Sequence, residues 1–103
     1  MADAFSYKLT SESELFGFDF SQVLTPGELI LTATSTAIVM NGTDPNPTAI
    51  LIGSPGITGS KVNQRIAGGI SEVTYRIIVT VTTSYSNTFS AVGDLPVYDG
   101  SIV

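Results

Sequence analysis

The feature that most constrains the fold is an alternation of apolar and polar residues through residues 71–90. One face of this segment carries an apolar row, made of Val73, Tyr75, Ile77, Val79 and Val81. The opposite face carries threonines and Arg76, with Ile78 as the exception. A period of two is the spacing of a β-strand with one buried face. The segment therefore predicts a central strand, and turn-favouring residues 84–87 predict a hairpin to a partner strand over residues 87–92.

Shorter segments elsewhere have the same period. Three phenylalanines predict a strand with a buried face: Phe16, Phe18 and Phe20. In residues 29–34 the alternation predicts a strand with Leu29, Leu31 and Ala33 on one face. The opposite face would carry Ile30, Thr32 and Thr34. We expect this strand to break near Ser35 and to resume as a short strand through Met40. In residues 59–67 we expect one face to hold Val62, Gln64 and Ile66.

The number and spacing of these segments favour one fold class. About seven short strands, separated by turn signals every eight to twelve residues or so, are typical of a two-sheet antiparallel sandwich. We therefore predict an all-β, immunoglobulin-like β-sandwich with no helix beyond a single turn. Tyr75, near the start of the long strand, is the candidate for the tyrosine that bonds back to upstream backbone in such domains. We expect an extended N-terminal arm (1–15), a sandwich domain (16–95) and a C-terminal tail (96–103).

The composition argues against catalysis and against several partner classes. The 103 residues include no Cys and no His, which excludes thiolate nucleophiles, the usual zinc ligands and His-dependent triads. Nothing in the sequence pairs two carboxylates for acid–base chemistry, and we expect Asp44 to form an Asx-type turn. Four basic residues are spread along a chain of net charge −5, so no nucleic-acid partner is expected. We predict no enzyme, no cofactor and no metal, and no signal peptide or membrane partner.

Two groups of residues are candidates for contacts with other subunits. Arg65 and Arg76 are expected on solvent-facing sides of adjoining strands, where they could meet Asp or Glu from another subunit. The C-terminal segment LPVYDGSIV ends with apolar residues. We hypothesise that four residues of this segment dock onto another subunit: Val97, Tyr98, Ile102 and Val103.

Three segments resemble the small tailed-phage family of fiber-tail adaptor proteins. They are FDFSQVLTPGELI, KVNQRIAGGISEVTYRIIVTVTTSYSNTFS and LPV, which together span roughly residues 16–97. The most specific part is a Gly-Gly pair followed by a tyrosine and a Thr-rich strand end, matched here by Gly68, Gly69, Tyr75 and residues 80–84. The resemblance implies a structural virion protein, made in the bacterial cytoplasm. It would link the tail or neck to fibers or neighbouring virion proteins, within a symmetric homo-oligomer.

Two other functions remain open from the sequence. The same sandwich could serve as a capsid decoration protein of the phage. It could also be a carbohydrate-binding or adhesive module, for which the candidate aromatic residues are Tyr7, Tyr85 and Tyr98.

Overall fold

The computed structural model describes residues 2–4 and 7–99, and of residues 2–4 only the backbone. Within these ranges the chain forms strands and a single turn of 3-10 helix at Pro47–Ile50. The strands are β1 (Ala2–Ala4), β2 (Lys8–Leu9), β3 (Ser13–Asp19), β4 (Ile30–Asn41), β5 (Leu51–Thr58), β6 (Lys61–Ala67), β7 (Val73–Thr83) and β8 (Thr88–Tyr98). No described helix has the length and apolar character needed to cross a bilayer. The all-β prediction is confirmed.

The strands form two sheets that pack as a sandwich. One sheet has the order β1-β8-β7-β4, with β2 also paired to β8, and the other has the order β3-β6-β5. All pairs are antiparallel except those of β1 and β2 with β8, which are parallel. If β3 to β8 are named B to G, the sheets read B-E-D and C-F-G, which is the immunoglobulin arrangement. The predicted immunoglobulin-like sandwich is confirmed.

The core lies between the apolar inner faces of the two sheets. The predicted row of β7 is buried throughout, from Val73 to Val81, with no member more than 3% exposed. Phe16, Phe18 and Phe20 are buried as predicted, and so are Val62, Gln64 and Ile66. Burying one large aliphatic or aromatic side chain contributes about 1.5–3 kcal/mol. The β7 row alone therefore contributes on the order of 10 kcal/mol before the entropy cost of folding.

Strand β4 differs from the prediction in two ways. It is continuous from Ile30 to Asn41, so the predicted break near Ser35 is wrong, because β7 pairs with β4 on both sides of that position. A bulge between Ile30 and Thr32 also changes the alternation. An extra residue at a bulge shifts the side chains that follow to the opposite face. Leu31 is consequently exposed, whereas Ile30 is buried and Ala33 packs against the core.

A second irregularity lies on β5, where the register jumps between Ile52 and Gly56. The side chain of Gln64, from the opposing strand β6, fills this gap. Its Nε2 group donates to Arg65 O at 2.9 Å, and its second N–H is shared between Ile52 O and Gly53 O, both 3.3 Å away. The buried glutamine therefore links the irregular part of β5 to β6.

Strand β8 extends beyond its predicted end at residue 92 and continues to Tyr98. It enters the predicted C-terminal tail (96–103), while β1 and β2 lie within the predicted N-terminal arm (1–15) and pair with β8. The division into 1–15, 16–95 and 96–103 stays a prediction.

Three connections meet at one end of the sandwich. Phe20 N–H donates to Ser60 O at 2.9 Å, which joins the β3–β4 connection to the β5–β6 turn. Ser84 N–H donates to Leu29 O at 2.8 Å, which joins the same connection to the β7–β8 turn. In immunoglobulin variable domains, the connections B–C and F–G at the corresponding end carry binding loops.

Candidate interaction surfaces

Tyr75 has the structural role predicted for it. Its side chain is fully buried, Ile70 N–H donates to Tyr75 Oη at 2.9 Å, and Oη donates to Asp44 Oδ2 at 2.6 Å. Burial raises the pKa of Tyr75 to about 12, and the hydrogen bond to Asp44 adds to this rise. Asp44 Oδ1 accepts Asn46 N–H at 2.9 Å, which is the predicted Asx turn. This tyrosine therefore fastens the β4–β5 and β6–β7 connections to the core.

Glu28 forms a polar network at the opposite end. Its side chain is 6% exposed and accepts hydrogen bonds from Thr83 Oγ1 at 2.5 Å, Asn87 Nδ2 at 2.9 Å and Thr25 N–H at 3.0 Å. The bond from Thr83, followed by those from Thr25 and Asn87, holds the pKa of Glu28 at about 2. The carboxylate therefore links the β3–β4 connection to the β7–β8 hairpin. The sequence marked Glu28 only as a turn residue, because two of its partners, Thr83 and Asn87, lie more than 50 positions away.

The two candidate arginines do not lie on adjoining strands, so that prediction is wrong. Arg65 is on β6 and Arg76 is on β7, and these strands belong to different sheets. Alternating inward and outward side chains on each strand then place the two arginines on opposite outer faces of the sandwich. They therefore cannot form one common patch.

Arg76 forms an ion pair within its own chain. The Arg76 Nε lies 2.8 Å from Asp94 Oδ1, and Nη2 lies 3.0 Å from Asp94 Oδ2. The ion pair is therefore bidentate. Hydrogen bonds from Arg76 lower the pKa of Asp94, and those same bonds raise the pKa of Arg76. Its acidic partner comes from the neighbouring strand of the same sheet, not from another subunit. A contact between Arg76 and another subunit stays a prediction.

Arg65 is exposed at the centre of an outer face. The register places Leu15 of β3 on one side of it and Ile52 of β5 on the other, and both are about half exposed. Arg65 donates to Ser13 Oγ at 3.2 Å, and no carboxylate among residues 7–99 forms an ion pair with it. Arginine is one of the residue types that are enriched in protein interfaces. We name this row, Leu15–Arg65–Ile52, the arginine row.

The C-terminal candidates fall into three environments. Val97 is 1% exposed and belongs to the chain's own core. Tyr98 is partly buried and packs edge-to-face against Tyr7, with ring centroids 6.0 Å apart. Ile102 and Val103 lie outside the described residues. Among the described members of this group, Tyr98 is therefore the side chain that a neighbouring subunit could reach.

A buried lysine near the start of the chain was not predicted. Lys8 is fully buried, and its Nζ donates to Gly68 O at 2.6 Å and to Leu9 O at 2.7 Å. Burial lowers the pKa of Lys8, while the nearby Glu12 and Glu14 oppose that shift. The side chain joins β2 to the β6–β7 connection, 60 residues away. Sequence spacing carries no signal for a contact of this kind.

The described residues hold no group of three or more acidic, His or Cys side chains that could bind a metal ion. The carboxylates described above instead accept hydrogen bonds or pair with an arginine. The three candidate tyrosines are also dispersed, because Tyr85 lies in the β7–β8 turn while Tyr7 and Tyr98 lie beside the far end of β8. They do not form one aromatic platform.

A sequence model of the family described as podophage GP4 fiber-tail adaptor protein gp77 matches residues 8–93, from β2 into β8. No curated protein and no solved structure matches the chain.

Proposed function

Because the chain belongs to the podophage fiber-tail adaptor family, we propose that it joins the tail or neck of a phage particle to fibers or to neighbouring virion proteins. The match over residues 8–93 is the observation that carries the proposal. The family is one of structural adaptors, which act by presenting surfaces and not by catalysis. The protein would be made in the bacterial cytoplasm and would act in the virion.

An adaptor must hold two partners at the same time, and the sandwich has surfaces on both of its outer faces. The arginine row lies on the three-stranded sheet, and its Arg65, which forms no ion pair with residues 7–99, could meet an acidic side chain of a partner. On the five-stranded sheet, Tyr7 and Tyr98 lie along the edge where β2 pairs with β8. These surfaces lie on different sheets, so one partner need not block the other.

We assign the arginine row to a contact with an acidic surface of a neighbouring virion protein. Substitution Arg65→Glu would place like charges across that contact and weaken it, while Lys61→Glu provides a matched control on the same face of β6. In a pull-down with the purified neighbouring protein, Arg65→Glu is expected to reduce binding far more than Lys61→Glu. Equal binding by both variants would remove the arginine row from the interface.

Copies of the chain are proposed to form a symmetric homo-oligomer within the particle. The support comes from β4 and β5, each an end strand of its sheet, whose outer edges pair with no other described strand. Unpaired strand edges accept strands from other chains. Light scattering on the purified protein tests this proposal, and a monomer at all accessible concentrations would contradict self-association of the isolated chain.

Docking of the C-terminal segment onto another subunit also stays a proposal. Its test must leave Val97 in place, because removing a core residue would unfold the domain. Truncation after Asp99 removes residues 100–103, including Ile102 and Val103, and keeps β8 complete. Unchanged assembly of the truncated chain would rule out docking through Ile102 and Val103.

The decisive experiment removes the chain from the phage that encodes it. A stop codon early in the gene, with wild-type protein supplied from a plasmid as the control, is expected to give particles without fibers. Electron microscopy counts the fibers, and cryo-EM of the complemented particle places the chain. Fully fibered particles in the absence of the chain would refute the adaptor function. Copies distributed over the capsid shell would instead indicate a decoration protein.

A further inference from the structure

The outer edge of β4 is a long strand edge that no described strand covers. β4 is an end strand of its sheet, and its 12 residues run from Ile30 to Asn41. Its register with β7 shifts near both ends, and between these shifts eight consecutive residues, Thr32 to Val39, pair with β7 without interruption. The other side of this stretch therefore presents a regular row of backbone N–H and C=O groups.

This edge lacks the residues with which proteins usually protect a strand edge. Charged side chains and proline discourage the addition of a further strand, and residues 29–43 contain neither. β5, an end strand of the other sheet, differs because it contains Pro55 and an interrupted register between Ile52 and Gly56. Variable-type immunoglobulin domains add strands to the sheet that corresponds to β4, β7 and β8. The edge of β4 is therefore open to a further strand.

The sequence of this edge indicates which strand would add to it. Residues 33–37 read ATSTA, which is the same in both directions and has Ser35 at its centre. When two copies pair antiparallel about Ser35, Thr34 of each copy lies opposite Thr36 of the other, and the two alanines of the segment also face each other. Cross-strand pairs of threonine stabilise sheets. An edge that meets its own residue types in this way favours a second copy over an unrelated strand.

The same register aligns the faces of the two copies. Thr32 and Thr34 are exposed on the outer face of β4, whereas Ala33 and Ala37 lie against the core. Pairing about Ser35 joins even-numbered positions to even-numbered ones, so outer face continues into outer face and the cores stay on one side. The sheet already contains such a pair within one chain, because the hydroxyls of Thr32 and Thr82 lie 2.5 Å apart.

The absence of charge at the edge removes an obstacle to self-pairing. Each copy carries a net charge of −5, so two copies repel when their acidic surfaces meet. The charged residues nearest to the edge along the chain are Glu28 and Asp44, and both form hydrogen bonds within their own chain. Two copies can therefore meet along Thr32 to Val39 without placing like charges opposite each other.

We propose that two copies of the chain pair through β4, antiparallel and about a two-fold axis at Ser35, so that their larger sheets join into one. Such a contact uses the same surface of both copies and closes as a dimer. The inference rests on the self-association proposed above, for which it names the surface, and not on the adaptor function. The arginine row stays available to another partner, because it lies on the other sheet.

Disulfide crosslinking tests the register of the pairing, in a chain whose own sequence has no cysteine. The purified Thr34→Cys chain is mixed with a longer, tagged Thr36→Cys chain and oxidised. The main crosslinked product should contain one chain of each kind and exceed the crosslinked dimers of either kind by at least about fivefold, because only directly opposite residues lie within disulfide distance. Thr34→Cys mixed with tagged Ser90→Cys, at an exposed position of β8, is the control and should give no such product.

Paired charges test the contact itself. A variant with Thr34→Asp and Thr36→Asp places like charges opposite each other across the axis, whereas Thr34→Asp with Thr36→Lys places opposite charges there. Both positions are exposed, and circular dichroism confirms that both variants fold. In sedimentation equilibrium, the dimer dissociation constant should be at least roughly tenfold higher for the first variant than for the second. The same two pairs of substitutions at Thr80 and Thr82, on the neighbouring strand, should not differ.

Equal dissociation constants for the two charge variants of β4 would overturn the inference and leave the self-association standing. A stronger crosslink in either cysteine variant alone than in the mixture would do the same. A chain that is monomeric at all accessible concentrations would overturn both. The adaptor function is tested separately, by removal of the gene. If benzoyl-phenylalanine in place of Thr34 crosslinked only to a different protein in the complemented particle, the edge would belong to a strand of that protein.

Discussion

The substitution Tyr75→Phe measures how much the buried hydroxyl of Tyr75 contributes to the free energy of unfolding. It keeps the ring in the core and removes two hydrogen bonds, one from Ile70 N–H and one to Asp44. A bond to a charged group contributes about 1.5–3 kcal/mol and a neutral one about 0.5–1.5 kcal/mol. Ile70 and Asp44 can regain water, so we take the lower part of each range and expect a loss of about 2 kcal/mol. With a slope of about 1.5 kcal/mol per molar urea, the unfolding midpoint should fall by about 1.3 M.

The matched control is Tyr85→Phe, which removes one hydroxyl from an exposed ring and should change stability by less than about 0.5 kcal/mol. The pH dependence gives a second readout. The pKa of Tyr75 is about 12 in the folded protein, against about 10 when unfolded, so its contribution is complete below pH 10 and is lost as the pH rises toward 12. In the Tyr75→Phe variant, the part of the stability loss between pH 10 and pH 12 that comes from Tyr75 should be absent. Equal urea midpoints for Tyr75→Phe and Tyr85→Phe would refute the structural role of Tyr75.

Three further predictions concern charged and core residues. The pKa of Glu28 is depressed to about 2, so its contribution to stability is complete above pH 4.5 and is lost as the pH falls toward 2. The unfolding temperature of Glu28→Gln should therefore lack this dependence on pH between 4.5 and 2. Val97→Ala should cost about 2–3 kcal/mol in urea unfolding, because Val97 is buried in the core, and a loss below 0.5 kcal/mol or so would place its side chain outside the core. In a double-mutant cycle, Arg76→Ala and Asp94→Ala should show a favourable coupling that shrinks from low to high salt; a coupling independent of salt would contradict an electrostatic pair.

The sequence predicted those structural features that follow from a regular spacing of residue types along the chain. The apolar row of β7, the buried phenylalanines at residues 16, 18 and 20 and the turn at residues 84–87 were all predicted, because each depends on neighbours along the chain. Tyr75 was predicted from its place at the start of β7. The fold class followed from the number and spacing of such segments.

Features that depend on distant partners were missed. Glu28 meets Thr83 and Asn87 across more than 50 positions, and Lys8 meets Gly68 across 60. Their burial has no local signature, since each residue is of a type usually found at the surface. The bulge at Leu31 was missed for a related reason, because a bulge is defined by the count of residues on the partner strand.

The parallel pairing of β1 and β2 with β8 has a mechanical consequence. β1 and β2 lie beside β8 and run in the same direction. A pull applied to the start of β1 and to the end of β8 acts along adjacent strands in opposite senses. The hydrogen bonds between them are then sheared together, whereas a hairpin pulled from its open end loses its bonds one by one. A force that stretches the chain from these two points is therefore resisted by all the hydrogen bonds between β8 and its parallel partners at the same time.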